Sequence, residues 1–293
     1  MPGKLYVVAT PIGNLSDMTP RGVQALSEAD LIAAEDTRHS RALLTHFGIQ
    51  TPLFSCHKFN EEKRGNFFVS ALLEGKNVAL ISDAGTPCIS DPGHRLVGMA
   101  AEAGAAVVAV CGANAAAAAL SVSGFDVSNY MFLGFLPRGQ KEQAQIFRRL
   151  AEGFNSPAVF YDSPMRVAKT IRWICDAYPA ADICLCNDLT KMFERVYRGK
   201  AEKVLTELLA NPDHTKGEYT CVIRLNHEEK APDAPQISLE AQLVDIMITN
   251  NCGNLKEAAN LLHEQQKSQG KGNKKAIYAA SLRLKELFSH DHS

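Results

Sequence analysis

Residues 82–93 combine two carboxylates with several glycines and prolines, directly after the apolar run 77–81. The apolar run predicts a buried strand, and the residues from His94 onward predict a helix. Ligands of open α/β sheets bind at the carboxyl ends of such strands. Because Asp83 and Asp91 can accept hydrogen bonds from a ribose or an amine, we expect residues 82–93 to form a ligand-binding loop.

Asp91 also fits a structural role at the start of the next helix. An Asp at the N-cap, followed by Pro92 at the first helical position, is a favourable helix start. That role does not account for Gly85, which lets a ligand approach the backbone closely, or for Pro87, which bends the chain. Both interpretations of Asp91 remain open, whereas the segment as a whole favours a binding loop.

Charged side chains also follow the predicted strand 31–34. Glu35 and Asp36 come directly after it, and Arg38 follows two residues later. Thr37 is the expected N-cap of the next helix, and its dipole would favour both acids at that position.

The first half of the chain alternates strands with helices, which is typical of a parallel α/β sheet. Right-handed crossovers bring the loops that follow such strands to one edge of the sheet. A helix expected at 115–123 has very small side chains, which indicates tight packing on a sheet or a ligand. The predicted strands are residues 4–10, 31–34, 52–56, 77–81 and 106–110.

The second half repeats this alternation less regularly, and it ends in a segment with two prolines followed by three predicted helices. The fold class is therefore α/β, with two domains and a small C-terminal helical appendage. The predicted boundaries are 1–135 for the N-terminal α/β domain, 136–227 for the C-terminal α/β domain, 228–238 for a linker and 239–293 for the helices.

The charge balance limits the class of partner. The 293 residues carry a formal net charge of −1, so a nucleic acid would have to bind at a local basic patch. The one plain patch lies in the appendage, in a stretch without acidic residues. It is either an RNA contact or a solvated turn between helices. Its members are Lys267, Lys271, Lys274 and Lys275.

Eight cysteines are spread along the chain without a C-x-x-C pair, and no histidine–carboxylate cluster has the spacing of metal ligands, so we expect no metal. Cys184 and Cys186 alternate on a predicted strand, where they act as small buried hydrophobes. The N-terminus has no signal peptide pattern and no stretch has the length of a membrane helix. These features predict a cytoplasmic protein without a membrane partner.

Seven motifs, in order along almost the whole chain, resemble the ribosomal small subunit methyltransferase I family of the tetrapyrrole methylase superfamily. Members of that family methylate a ribose 2′-oxygen of a cytidine in 16S ribosomal RNA. The motifs are LYVVATPIGNLSD at 5–17, AEDTR at 34–38, SDAGTP at 82–87, GFLP at 134–137, FYDSP at 160–164, LTK at 189–191 and KGE at 216–218.

The resemblance implies two α/β domains with S-adenosylmethionine bound in the cleft between them, a homodimer, and 16S rRNA or the small ribosomal subunit as partner. It also implies which residues contact the cofactor. The first domain would supply Pro11, Ser82, Asp83, Ala84, Gly85, Ile89, Asn114 and Ala115, and the second Ser163, Glu218, Tyr219 and Thr220.

Methyl transfer from a sulfonium is an in-line displacement, for which alignment in a dry cleft supplies most of the rate. A ribose hydroxyl is a weak nucleophile, so a base or a polarising cation should help. We expect Glu35 or Asp36 to act as the base or hydroxyl acceptor, with Lys191 facing them from the second domain. Arg38 and Arg138 are candidates for RNA contacts.

Two other functions remain open. The same fold could methylate a tetrapyrrole or another small substrate, or the protein could be a non-catalytic RNA-binding factor in ribosome assembly. The lysines of the appendage favour RNA over a small substrate, and binding of S-adenosylmethionine would separate an enzyme from an assembly factor.

Overall fold

The computed structural model describes residues 1–57, 61–153, 156–225, 238–268 and 273–289. The chain divides into two compact units, Met1–His227 and Glu228–Ser293, which we call the first and the second unit.

The first unit begins with a parallel sheet of five strands in the order β3-β2-β4-β1-β5. Helices cover both faces of this sheet, as predicted from the alternation of strands and helices. The strands are β1 (Lys4–Val8), β2 (Leu31–Ala34), β3 (Leu53–Ser55), β4 (Val78–Ile81) and β5 (Ala106–Val110). The helices are α1 (Pro20–Glu28), α2 (Thr37–His46), α3 (Glu61–Leu73), α4 (His94–Glu102) and α5 (Ala115–Ser123).

Alternation along the strands divides the core of this sheet between its two faces. Ile32 and Val8 pack with α1 and α2, whereas Ala33 and Leu5 pack with α3 and α4. Successive residues of a strand point to opposite faces, so strands buried on both sides are apolar throughout. All strands run in one direction, and the loops after them therefore gather at one edge.

A second five-stranded sheet has the order β6-β7-β10-β8-β9. Only β6 and β7 are parallel in this sheet; the remaining neighbours are antiparallel. Its strands are β6 (Met131–Phe135), β7 (Ala158–Asp162), β8 (Asp182–Asn187), β9 (Arg195–Lys200) and β10 (Tyr219–Arg224), and its helices are α6 (Gln140–Gly153), α7 (Val167–Ala177) and α8 (Ala201–Ala210).

The division between the two sheets differs from the predicted boundary at 135/136 by one strand. β6 pairs with β7 and so belongs to the second sheet, whereas we expected it to end the first domain. Strand pairing depends on tertiary contacts, which the local apolar pattern of 131–135 does not specify. The small helix α5 also faces the second sheet, because Ala119 and Leu120 pack against Val159, Cys184 and Val222.

The described residues of the second unit form three helices, α9 (Leu239–Thr249), α10 (Leu255–Ser268) and α11 (Lys274–Ser289). Leu243, Ala258 and Ile277 belong to their common core. The Arg283 Nε donates to the Glu240 carboxylate at 2.7 Å and ties α11 to α9. Apart from Ser238, the predicted linker lies outside the described residues. None of the described helices is both long and apolar enough to cross a membrane.

Candidate active site

A cavity of about 450 Å³ lies where loops after the strands of the first sheet meet the second sheet. The structure brings most of the predicted site residues together here, from five separate parts of the chain. The predicted residues that line it are Glu35, Asp83, Ala84, Gly85, Ile89, Asn114, Ala115, Ser163, Glu218, Tyr219 and Thr220.

The loop after β4 is held at the cavity by backbone hydrogen bonds to the loop after β1. Thr10 N donates to Gly85 O at 2.9 Å, and Gly85 N donates to Thr10 O at 3.0 Å. Gly85 has φ +78°, and a Cβ there would lie 3.3 Å from Ile12 Cγ2. Cys88 and Ser90 adopt positive φ values of 69° and 68°, which cost free energy in non-glycine residues. The special residues of this segment thus shape one wall of the cavity.

Asp91 lines this cavity and does not cap α4, so the structural interpretation of Asp91 was wrong. Helix α4 begins at His94, with Gly93 at the N-cap and no capping side chain from that residue. The cap is supplied instead by Glu61 of α3, whose Oε1 accepts from the backbone nitrogens of Gly93 and Arg95, each at 3.0 Å. The Asp91 carboxylate is therefore available to the cavity.

Three carboxylates share the acidic part of the cavity, those of Glu35, Asp83 and Asp91. Burial raises the pKa of Glu35, and repulsion from Asp83 and Asp91 raises it further. Burial also raises the pKa of Asp91; a hydrogen bond from Ser82 partly opposes this shift. Asp83 Oδ1 accepts from the backbone nitrogen of Asp36 at 3.1 Å, which connects the loops after β4 and β2.

Asp36 differs from Glu35 in position and in the direction of its pKa shift. Asp36 is the N-cap of α2 and accepts from the backbone nitrogen of Arg38 at 2.8 Å; the expected cap, Thr37, is the first helical residue. A side-chain hydrogen bond from Arg38 is the main reason why the pKa of Asp36 falls to about 2. Among the described residues, Asp36 and Arg38 are absent from the lining of the cavity.

The end of β7 supplies a buried carboxylate that we did not predict. Asp162 lines the cavity, and its side chain is 1% exposed. It accepts from Ser163 N at 2.8 Å, from Thr170 Oγ1 at 2.6 Å and from Arg166 Nη2 at 2.8 Å. This network fixes the turn that presents Ser163. A polar residue at the end of a predicted strand, followed by Ser-Pro, was the signal available in the sequence.

Lys191 is outside the described lining but touches a residue within it. Its Nζ lies 3.1 Å from Glu218 Oε2 and 3.1 Å from Asp188 Oδ1. Burial lowers the pKa of Lys191, but the hydrogen bonds to Glu218 and Asp188 outweigh burial and the net pKa is raised. Lys191 is therefore a cation that holds Glu218 at the edge of the cavity.

The remaining predicted residues lie elsewhere. Pro11 and Ser82 are buried, and each directly precedes a residue that lines the cavity. Neither belongs to the described lining itself.

Sequence reasoning missed two aromatic residues that line the cavity, Phe135 and Tyr161, whose ring centroids are 5.3 Å apart. Their position at the ends of predicted strands was the only sequence signal. The exposed predicted RNA contacts are Arg38, Arg138, Lys267, Lys274 and Lys275, and Lys271 lies outside the described residues.

Comparison with known proteins defines the class of this fold. Residues 4–205 match the family model described as Tetrapyrrole (Corrin/Porphyrin) Methylases. A crystal structure of diphthine synthase has a TM-score of 0.58 and 13% sequence identity, and the match covers 76% of this chain and 90% of that one. This chain thus has the fold of the tetrapyrrole methylases.

Two relatives narrow the class. Both are named Ribosomal RNA small subunit methyltransferase I. The relative from Halalkalibacterium halodurans is 42% identical over 79% of this chain and 79% of its own. The relative from Neisseria meningitidis serogroup B is 38% identical over 97% of this chain and 94% of its own. The chain belongs to the ribosomal RNA small subunit methyltransferase I family within the tetrapyrrole methylases, and it is an S-adenosylmethionine-dependent methyltransferase.

The cavity suits this cofactor on three physical grounds. Its carboxylates, at Glu35, Asp83 and Asp91, complement a ligand that carries a sulfonium and an ammonium. Apolar side chains such as Ile12 complete the lining and exclude water from part of it. At Gly85 the backbone itself forms the wall, and the missing side chain lets this loop approach Ile12 closely.

Proposed function

We propose that this protein transfers a methyl group from S-adenosylmethionine to the ribose 2′-oxygen of a cytidine in 16S ribosomal RNA. The observation that carries the proposal is the cavity itself, in which Glu35, with a raised pKa, lies among groups suited to a cationic cofactor. The names of the relatives support ribosomal RNA as the substrate.

The cofactor would lie along the loop after β4. In this proposal one wall of the site is formed by Asp83, Ala84, Gly85 and Ile89, and further residues contact the cofactor from the other sides. Those contacts are Asn114, Ala115, Ser163, Glu218, Tyr219 and Thr220, with Pro11 and Ser82 supporting the wall from behind. Asn114 also caps α5 by accepting from Ala117 N at 3.0 Å, so its side chain is held in place.

Glu35 is the residue we propose as base or hydroxyl acceptor. Bound S-adenosylmethionine supplies an electrophilic methyl group, so the protein has to align the hydroxyl and receive its proton. A carboxylate with a raised pKa is better matched to that task than one with a depressed pKa. Asp36 is engaged by Arg38, and its pKa of about 2 makes it a poor base. We therefore assign the proton-accepting role to Glu35 and a structural role to Asp36.

Lys191 acts in this proposal through Glu218. The ammonium lies 3.1 Å from the Glu218 carboxylate and fixes that side chain, which lines the cavity. Lys191 thus positions a binding residue and adds positive charge near the site. The same charge would help to attract the RNA backbone.

Exposed cations in each of the two units would contact the RNA. Five exposed cations are suited to phosphate contacts: Arg38 and Arg138 of the first unit, and Lys267, Lys274 and Lys275 of the second.

We also propose a homodimer in the cytoplasm. Exposed apolar side chains at Val107 of the edge strand β5 and at Met131 of the edge strand β6 support a subunit interface.

The test combines cofactor titration with mapping of the methylated nucleotide. The purified protein should bind S-adenosylmethionine by calorimetry and methylate 16S rRNA, presented as naked RNA or as small subunits, at one cytidine ribose. Asp83→Ala should weaken cofactor binding about tenfold or more without unfolding the protein, since one charge-assisted contact contributes ~1.5–3 kcal/mol. Methylation of a tetrapyrrole in place of RNA, or no cofactor binding at millimolar concentration, would refute the proposal.

A further inference from the structure

A second cavity, of about 350 Å³, lies beside the first one in the first unit. Its lining combines an aromatic ring with two cations, two carboxylates and two amide groups. The lining consists of Asn187, Asp188, Phe193, Arg195, Asn211, Asp213 and Lys216.

The two cavities share a hydrogen-bonded wall. Asp188 lines the second cavity and Glu218 lines the first. Asp188 N donates to Glu218 O at 2.9 Å, and Glu218 N donates to Asp188 Oδ1 at 3.2 Å. Gly217 has φ +81°, and a Cβ there would collide with the Asp188 carboxylate. A polymer bound in the first cavity therefore has the second cavity as an immediate neighbour.

Phe193 lines this cavity and belongs to a loop with internal hydrogen bonds. The side chain is 74% exposed. Its loop contains Asp188 and Thr190 at φ 52° and 66°, and Thr190 N donates to Glu194 Oε2 at 2.6 Å. Lys191 N also donates to Asp188 O at 3.0 Å. Backbone strain combined with an exposed aromatic ring indicates a surface that functions by contact with a ligand.

The polar groups of the cavity match the rest of a nucleotide. Arg195 makes no ion pair with any residue that the structure describes, and although its charge helps to lower the pKa of Asp213, its guanidinium has donors for a phosphate. Lys216 adds a second cation, paired with Asp213 at 2.8 Å. The buried amides of Asn187 and Asn211 shape the cavity wall, since Asn187 Nδ2 donates to Glu218 O at 3.4 Å and Asn211 Nδ2 donates to the Tyr197 hydroxyl at 3.1 Å.

We propose that the second cavity binds the nucleotide adjacent to the methylated one, with its base stacked on Phe193 and its phosphate at Arg195. This inference rests on the proposed function, because it requires single-stranded RNA in the first cavity. It assigns to this surface a role in recognising the sequence context of the target, since a flanking base would be inspected while the ribose of its neighbour is methylated.

The test compares Phe193→Ala with Phe193→Tyr and with Met192→Ala in the full-length protein. Met192 is a matched control because it belongs to the same loop, is 90% exposed and is not part of the described lining. Phe193→Ala should raise the KM for 16S RNA about tenfold, in keeping with the loss of one stacked base, and leave the affinity for S-adenosylmethionine unchanged. Phe193→Tyr should keep the KM near the wild-type value, and Met192→Ala should do the same.

A second measurement examines the phosphate contact. Arg195→Gln should make the dependence of RNA affinity on salt less steep by about 0.7 in log–log slope, the value for one contact to a single strand. The inference is overturned if the wild-type enzyme methylates RNA and Phe193→Ala has the same KM. It is also overturned if Phe193→Ala only converts a dimer to a monomer, because the loop would then be an interface between copies. A wild-type protein that methylates no RNA refutes the proposed function itself.

Discussion

The carboxylate of Glu61 in α3 lies 3.0 Å from the backbone nitrogen of Gly93, at the start of α4. It accepts from Arg95 N at the same distance, so one buried side chain caps the helix that follows the cofactor loop. This capping role was one of the two interpretations that the sequence left open for Asp91. Because Glu61 performs it, Asp91 is free to line the cavity, and α3 contributes to the site without touching it.

Replacing Glu61 should therefore loosen the cofactor loop. Glu61 is 3% exposed, and loss of its two hydrogen bonds to backbone N–H groups should lower the free energy of unfolding by about 2–3 kcal/mol in Glu61→Ala. Cofactor affinity should fall as well, and Glu61→Gln should restore part of both. The measurements are urea unfolding and calorimetry. Glu62→Ala is the control, since Glu62 makes only an exposed ion pair with Arg95; equal effects in both variants would contradict the capping role.

Glu35→Gln should reduce kcat by about 10²-fold or more, the usual effect of losing a general base, with cofactor affinity kept within a few-fold. Asp36→Asn should change kcat little, because Asn still caps α2. In the wild-type enzyme, kcat/KM should fall as the pH drops through the pKa of Glu35, which lies above its ordinary value of 4.5. A profile that is the same for Glu35→Gln and the wild type would rule Glu35 out as the group that titrates.

Glu35→Gln and Asp36→Asn should change the Tm at pH 7 in opposite directions. The pKa of Glu35 is raised by folding, so the folded state binds its proton more tightly than the unfolded chain does. The free energy of unfolding therefore decreases as pH rises from 4.5 through the raised pKa, and Glu35→Gln should increase the Tm at pH 7 but not at pH 4.

For Asp36 the sign is reversed. Its pKa is lowered to about 2 from 3.8, so its stabilisation is complete above 3.8 and is lost as pH falls towards 2. Asp36→Asn should lower the Tm at pH 7. Calorimetric Tm values at several pH values check both signs, and a Tm for Glu35→Gln below that of the wild type at pH 7 would contradict the first.

Asp162 should be important for stability as well as for the shape of the cavity. Asp162→Ala removes acceptors from Ser163, Thr170 and Arg166 and should lower the free energy of unfolding by about 3 kcal/mol. Thr170→Val loses only one of these hydrogen bonds and should cost about 1 kcal/mol. Denaturant unfolding measures both, and a similar cost in the two variants would show that Thr170 alone accounts for the effect.

Local patterns in the sequence predicted the individual elements well but not their partners. Each apolar run of the first half became a strand, since a strand buried on both faces must be apolar throughout. The cap of α4 was not predictable, because Glu61 is 32 residues from Gly93 and nothing local connects them. The charge state of Asp36 likewise depended on a side-chain conformation of Arg38, which a sequence does not specify.

In the candidate active site, too, features with a local sequence pattern were predictable and those that depend on tertiary contacts were not. The loop after β4 was predicted to bind a ligand from its carboxylates and its special backbone residues; Asp83, Gly85 and Asp91 line the cavity, and cofactor binding by this loop stays a prediction. The contribution of β6 and of Phe135 was missed, because sheet membership depends on pairing with β7, whose strand begins 27 residues after Met131 in the observed register with Ala158. Phe193 escaped prediction because an exposed aromatic residue in a loop has no periodic pattern.

The position of α5 has a consequence for how the first unit unfolds. This helix follows β5 of the first sheet, yet Ala119 and Leu120 complete the apolar layer over Val159 and Val222 of the second sheet. Unfolding of either half would expose apolar side chains of the other half to water, so the two sheets unfold together. A single cooperative transition, shared by probes in both halves, is what this interlocked arrangement demands.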